Sequence, residues 1–124
     1  MDIQFFDNSD NVPQPRDKIR IEELNIAPYP DRFRVRIHVK VTLFQERPNL
    51  ILVAHDEADH IVSELSIIET MHADMEFTLH IRDKQDPGGT YTLTAELFYK
   101  TRNPPQDRRI EVFTIPLASH LDER

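Results

Sequence analysis

The chain has 124 residues and a formal net charge of −7, with no cysteine, no tryptophan and only two glycines. This length suits one domain built around a single core. The acidic balance argues against general nucleic-acid binding, and the lack of cysteine excludes disulfides, thiolate metal sites and thiol nucleophiles.

The first residues do not resemble a targeting signal. Met1 is followed by Asp2 and a polar segment, without the basic and apolar regions of a signal peptide. No apolar run approaches the ~18 residues needed for a membrane span. We therefore expect a soluble, cytoplasmic protein without membrane insertion.

Residues 1–17 combine a few apolar side chains with polar residues and two prolines, a composition that does not favour regular structure. We expect a flexible N-terminal arm here. Its apolar residues Ile3, Phe5 and Phe6 either remain in solvent or dock on the domain's own surface or on a partner, and the sequence leaves these alternatives open.

Three strands are predicted in the first half of the chain. The first, at 18–27, has a one-residue shift of its apolar pattern at Glu22-Glu23, which is typical of a β-bulge. The third is the continuous apolar run at 50–54. The second, at 32–44, has the clearest two-residue period, with these residues predicted inward: Phe33, Val35, Ile37, Val39, Val41 and Leu43.

Four more strands are predicted in the second half. Residues 55–60 form a hairpin loop before the fourth strand at 61–70, and the fifth strand is at 75–82. The final strand, at 108–116, precedes a tail at 117–124. The sixth follows the Pro87-Gly88-Gly89 turn and places these residues inward: Tyr91, Leu93, Ala95, Leu97 and Tyr99. In the fourth, the inward set is Ile61, Leu65 and Ile67.

The order of elements indicates an all-β fold, a seven-stranded antiparallel β-sandwich over residues 18–116. The segment from Tyr91 to Ala95, after a glycine-containing turn, resembles the sixth strand of immunoglobulin-like and fibronectin type III-like domains. The resemblance implies a tyrosine corner at Tyr91, with its hydroxyl bonded to upstream backbone. It assigns no catalytic residue to this chain, because this fold hosts many functions. The chain is similar to small stand-alone immunoglobulin-like proteins of green non-sulfur bacteria.

The most site-like polar cluster lies at residues 55–60, where His55 and His60 flank three acidic residues. Imidazole and carboxylate together can bind a divalent cation. The same segment resembles the common Asp-x-Asp-Gly-x-Val hairpin turn, with His60 at the glycine position, and this interpretation is favoured. His38 and His80 are predicted to face outward from neighbouring strands, but two imidazoles are too few for a closed zinc site. No metal site is assigned.

No catalytic motif is present. The sequence has no nucleophile elbow, no His-Glu-x-x-His helix and no phosphate-cradling glycine loop. We therefore expect no enzyme activity, catalytic residue or cofactor. The leading hypothesis is a non-catalytic protein-interaction or assembly module. The alternative is a sandwich that binds a carbohydrate or a divalent cation, for which Phe44, Phe98 and Phe113 are the candidate aromatic platform.

Two surfaces are candidates for binding. One is the basic strip, formed by Arg34, Arg36, His38 and Lys40 along the outward side of the second strand. It either is a solvated face paired with Glu76 and Glu22-Glu23 or docks an acidic partner, including the chain's own arm.

The other surface is apolar. Leu50, Leu52 and Ala54 have one parity and Ile51 and Val53 the other, so one set must face outward. If Ile110 and Val112 face the core, the predicted interface for a protein partner or a second copy, as a homodimer, consists of Ile51, Val53, Phe98, Phe113 and Ile115. The alternative is a monomer in which the arm or a loop covers this face.

Overall fold

The computed structural model describes residues 12–82 and 84–117. A short 3₁₀ helix at Arg16–Lys18 precedes seven strands, and the bounds of the strands are β1 Ile21–Pro28, β2 Arg34–Val41, β3 Asn49–His55, β4 Ile61–Ile67, β5 Asp74–His80, β6 Gly89–Phe98 and β7 Asp107–Ile115. No helix in the described ranges is long and apolar enough to cross a membrane.

The strands form two sheets. One has three strands in the order β1-β2-β5, and the other has four in the order β4-β3-β6-β7. Every pairing between these seven strands is antiparallel. The prediction of an all-β, seven-stranded antiparallel sandwich is confirmed.

Alternating side chains from both sheets fill the space between them. The fully buried members include Val35, Ile37 and Val39 of β2, Leu50 and Leu52 of β3, and Leu93 and Leu97 of β6. Burying each such side chain contributes about 1.5–3 kcal/mol against the entropy of ordering the chain. The predicted bulge in β1 is confirmed, because the register with β2 shifts between Ile21 and Glu23.

The prediction that Phe33 faces inward is wrong, since 39% of its surface is exposed. Phe33 lies in the turn before β2, where Arg32 has a φ of 71°. The Asp31 carboxylate accepts hydrogen bonds from the backbone N–H groups of Phe33 and Arg34, at 3.0 and 3.1 Å. The strand alternation therefore begins two residues later than the sequence pattern, with Val35 as its first inward residue.

The inward assignment of Ile61 is also wrong. A register shift between Ala54 and His55 places Ile61 opposite His55 on the outside of the sheet, where it is 56% exposed. Val62 takes the buried position instead. The other two predicted inward residues of this strand, Leu65 and Ile67, are half-buried against the core as expected.

Residues 12–17, which we assigned to the arm, lie against the domain. The backbone N–H of Gln14 donates to the carbonyl of Leu43 at 2.8 Å, and Arg16 pairs with Glu46 while its guanidinium lies 4.8 Å from the Tyr99 ring centre. Ile3, Phe5 and Phe6 lie outside the described residues, as does most of the 117–124 tail. The domain boundaries stay a prediction.

Candidate functional site

The surface that combines exposed apolar side chains with fixed charges is the outward side of sheet β4-β3-β6-β7, here called the outer face. Strand register lays its side chains out in rows across the four strands. One row is Ile61, His55, Thr92 and Val112, the next is Glu64, Val53, Thr94 and Ile110, and the third is Ser66, Ile51, Glu96 and Arg108.

Three large apolar side chains on the outer face are open to solvent. Ile61 and Ile110 are each 56% exposed and Val112 is 65% exposed. They belong to β4 and β7, the two edge strands, because neighbouring side chains cover the central strands from both sides. Ile61 and Ile110, with Val53 between them, line a shallow depression of about 380 Å³.

Ile51 and Val53 lie on the outer face, but they are buried by their neighbours. Ser66 and Glu96 flank Ile51, and Glu64 and Thr94 flank Val53. Ile51 and Val53 form the floor of the face. Phe98 also belongs to this face by its pairing with Asn49, and it is half-buried. Whether these three residues touch a partner stays a prediction.

The prediction that Phe113 and Ile115 face outward is wrong, since they are 7% and 0% exposed. Phe113 pairs with Tyr91, and the two rings stack with centres 5.3 Å apart. Phe113 is thus unavailable as a carbohydrate platform. The inward assignment of Ile110 and Val112 is wrong as well, because these two residues alternate with Phe113 and Ile115 along the strand and face the other side.

The reason for this error lies in the first half of β7. Its inward positions carry polar residues, Asp107 and Arg109, because they bond to the edge of β1 and do not enter the core. The Asp107 carboxylate accepts from the backbone N–H of Ile21 at 2.8 Å, and Arg109 donates to the Ile21 carbonyl at 3.0 Å. Because these two inward residues are polar, the sequence pattern assigns Ile110 and Val112 to the inward side, which is wrong.

A charged cluster that the sequence pattern did not reveal borders the depression. Glu96 is buried on the outer face, and it accepts from Nε of Arg102 at 2.8 Å and from Nε and Nη2 of Arg108 at 3.1 and 2.9 Å. Burial raises the pKa of the Glu96 carboxyl, but the hydrogen bonds and charges of the two arginines outweigh it, so the pKa lies below its ordinary value. The cluster carries a net charge of +1 at neutral pH, from two guanidinium groups and one carboxylate.

The basic strip lies on the opposite surface, the outward side of sheet β1-β2-β5, as its alternation predicts. Two of its members are paired internally, since Arg34 contacts Asp31 at 2.6 Å and His38 contacts Asp74 at 2.6 Å. Glu23 is also near, 4.0 Å from His38. These pairs support the solvated-face interpretation, although the partners are mostly not the predicted ones. Docking of an acidic segment on Arg36 and Lys40 stays a prediction.

His38 and His80 do not form a pair. Both lie on the outward side of neighbouring strands, as predicted, but His80 is opposite Arg34 and His38 is opposite Glu76. An offset of four residues separates them by about 13 Å along the strand.

The 55–60 loop is a hairpin turn organised by one carboxylate. Asp56 accepts hydrogen bonds from the backbone N–H groups of Ala58 and His60, both at 2.9 Å, and contacts Lys84 at 3.2 Å. The bond from His60 and the contact with Lys84 lower the pKa of Asp56. The positive φ falls on Asp59, at 65°, and not on His60. Within the described ranges, no group of three or more histidine and acidic side chains is arranged to hold a metal ion.

The predicted tyrosine corner is confirmed. Tyr91 is 1% exposed, and its hydroxyl donates to the carbonyl of Pro87 at 2.5 Å. Burial raises the pKa of this hydroxyl. The bond ties the start of β6 to the turn before it.

The chain matches no family model and no curated protein. It does match solved structures at low identity. A Bifidobacterium dentium beta-glucuronidase complexed with coumarin-3-O-glucuronide gives a TM-score of 0.59 at 17% identity, over 78% of this chain and 18% of the other. A glycosyl hydrolase family 2 member from Bacteroides cellulosilyticus gives 0.51 at 14% identity, over 78% of this chain and 15% of the other.

A third similar structure comes from a different class of protein. The chicken interferon gamma receptor alpha chain gives a TM-score of 0.54 at 8% identity, over 78% of this chain and 51% of the receptor chain. The immunoglobulin-like β-sandwich fold of this chain is thus similar to a part of each of these proteins. The chain spans less than a fifth of either hydrolase and about half of the receptor chain, so their activities do not transfer with the fold.

Proposed function

We propose that this protein is a non-catalytic protein-interaction module that binds its partner through the outer face. The observation that carries the proposal is the exposure of Ile61, Ile110 and Val112 on one face of a regular sheet. Scattered exposed apolar residues are ordinary, but several on one face suggest a binding surface.

The composition of the outer face supports a protein as the ligand. Protein interfaces have an apolar centre and a polar rim, and arginine is enriched in them. Here Val53 and Ile110 line the depression, and Arg102 and Arg108 stand at its margin. Fully burying an isoleucine contributes about 1.5–3 kcal/mol, so covering side chains that are about half exposed gives roughly 1 kcal/mol each.

The outer face is also preorganised. Its floor residues, Ile51 and Val53, lie on a central strand that is paired on both sides. Glu96 holds both arginines by hydrogen bonds before any partner arrives. A surface that is already ordered loses less conformational entropy on binding, which favours affinity.

The state of Glu96 does not suit a general acid. General acid catalysis at neutral pH requires a carboxyl that holds its proton, and such groups have raised pKa values. The two arginines lower the pKa of Glu96, so this carboxyl is ionised at neutral pH and is engaged in holding them.

Capture with matched variants tests the proposal. Tagged wild type, Val112→Asp and Thr78→Asp would be incubated with extract of the source cells, and the retained proteins would be compared by mass spectrometry. Val112 is exposed on the outer face and Thr78 on the outward side of β5, so each variant adds one carboxylate to an exposed strand position. We expect a protein that wild type and Thr78→Asp retain and that Val112→Asp loses. Identical sets from all three would contradict the proposal.

A further inference from the structure

We infer that the partner that fits the outer face is a second copy of this chain, packed face to face about a two-fold axis. This inference rests on the proposed function, because it uses the same face. Two-fold pairs are the commonest assemblies, and they require a surface that is complementary to itself. The outer face meets this requirement in charge and in apolar pattern.

The charges of the outer face are divided between its two edges. At the β4 edge, the exposed Glu64 has no ion-pair partner among residues 12–82 and 84–117. At the β7 edge, Arg108 uses Nε and Nη2 on Glu96, and Arg102 uses Nε. The remaining Nη groups of both arginines make no hydrogen bond within the described part of the chain. One edge thus offers a carboxylate and the other offers guanidinium donors.

Strand order brings these edges together in a dimer. When two sheets in the order β4-β3-β6-β7 face each other about an axis parallel to the strands, β4 of one copy lies over β7 of the other. Glu64 is in the row of Ile110, two residues or about 6.6 Å along the strand from Arg108. An arginine side chain spans such an offset, so Glu64 can pair with Arg108 of the partner subunit.

The same arrangement matches the apolar residues. Ile61 and Val112 occupy one row at opposite edges, so each lies over the other residue of the second copy. Val53 and Thr94, on the two central strands, face each other in the same way. Two contacts between Ile61 and Val112 and two between Glu64 and Arg108 therefore form at once, related by the axis.

The outward side of the other sheet does not offer this match. Two of its basic residues are already paired, Arg34 with Asp31 and His38 with Asp74, and the other two, Arg36 and Lys40, lie on its central strand β2. Packing that surface against itself would desolvate these groups without new partners. The asymmetry between the two surfaces favours the outer face.

The size of the outer face sets the strength of the dimer. Four strands at ~4.8 Å spacing are about 19 Å wide, and a strand length of about 20 Å gives roughly 400 Å² of face per copy, less than the ~800 Å² per partner of a standard interface. We expect a weak dimer, with a Kd on the order of 10–1,000 µM.

Sedimentation equilibrium over a concentration series tests the inference. The variant Glu64→Arg places like charges opposite each other at both ends of the interface, and Glu76→Arg makes the same change at an exposed position of β5. We expect wild type and Glu76→Arg to dimerise alike, and Glu64→Arg to raise the Kd at least about tenfold. Added salt should weaken the wild-type dimer, because the edge pairs are exposed.

Two results would overturn the inference. A wild type that stays monomeric at about 1 mM excludes the second copy, since the Kd would lie above the expected range. A dimer that Glu64→Arg leaves unchanged places the interface elsewhere. Circular dichroism checks that each variant folds. If Glu64→Arg does not fold, the amide chemical shifts of the wild type that change on dilution decide. Changes confined to β3, β4, β6 and β7 support the inference, and changes elsewhere contradict it. A monomeric wild type whose captured protein is still lost on Val112→Asp removes the second copy and leaves the proposed function standing.

Discussion

Replacing Tyr91 by phenylalanine removes one hydroxyl from a buried position and leaves the ring in place. The stacking on Phe113 and the approach of Lys84, 5.7 Å from the ring centre, are kept. What is lost is the hydrogen bond from the Tyr91 hydroxyl to the carbonyl of Pro87. The Tyr91→Phe variant therefore isolates the contribution of that bond to the turn before β6.

The expected loss of stability follows from burial. Tyr91 is 1% exposed and Pro87 is buried, so water cannot take the place of the hydroxyl without a rearrangement of the turn. A buried polar group left without its partner costs about 1–3 kcal/mol. For a chain of this length each kcal/mol lowers the melting temperature by about 3–6 °C. Urea unfolding and thermal melting would measure both quantities.

Tyr29→Phe is the matched control. Its ring lies 4.4 Å from the guanidinium of Arg34, and its hydroxyl makes no hydrogen bond to the described residues. The same atom is removed from a half-exposed site, so we expect a change within about 0.5 kcal/mol. Equal melting of Tyr91→Phe and wild type would refute the reasoning, because it would mean that the corner bond contributes nothing to stability.

Two further predictions concern the outer face and the register behind it. Glu96 has a pKa below its ordinary value of about 4.5, so its contribution to stability is present above that pH and is lost as the pH falls through the lowered pKa. Glu96→Gln should therefore flatten the dependence of urea unfolding on pH in acid, and an unchanged slope would contradict the pairing with Arg102 and Arg108. In β7, Val112→Ser should change the free energy of unfolding by no more than about 0.5 kcal/mol and Phe113→Ala should cost about 3–5 kcal/mol; the reverse order would show that the register is shifted by one residue.

Much of the fold could be predicted because local pattern and tertiary environment agree. Strand β2 alternates without interruption, and its register with β5 has no shift, so the inward set from Val35 to Val41 is correct. The bulge in β1 and the tyrosine corner at Tyr91 can each be recognised from a few consecutive residues of the sequence. Both depend on contacts between residues that are close in the chain, so the local sequence predicts them.

The exposed apolar residues of the outer face could not be predicted, because the side on which they lie depends on register. One shift between Ala54 and His55 turns Ile61 outward, and nothing in the sequence of this hairpin marks it. In β7 the inward polar residues serve the edge of β1, which is about 86 positions away for Asp107 and Ile21. A shift of one residue exchanges the two faces of a strand. The residues that the apolar pattern placed inside, Ile61, Ile110 and Val112, are for this reason the ones that form the exposed surface.

The Glu96 cluster was missed for a different reason. Glu96 has outward parity, and acidic residues at such positions are usually solvated. Its burial depends on Arg102, which comes from the β6–β7 loop, and on Arg108, which lies beside it across the β6–β7 pair. The two guanidinium groups come together only because the loop folds back over the sheet. The spacing of residues in the sequence does not show this.

Side-chain footprinting tests most directly the claim that the outer face binds protein. Dilute purified protein and the same protein in extract of the source cells would be labelled with a carbene reagent, and modification would be read residue by residue. We predict that labelling of Ile61, Ile110 and Val112 falls in the extract while labelling of Thr78 on the opposite surface is unchanged. Equal labelling of all four residues in both samples would contradict the account.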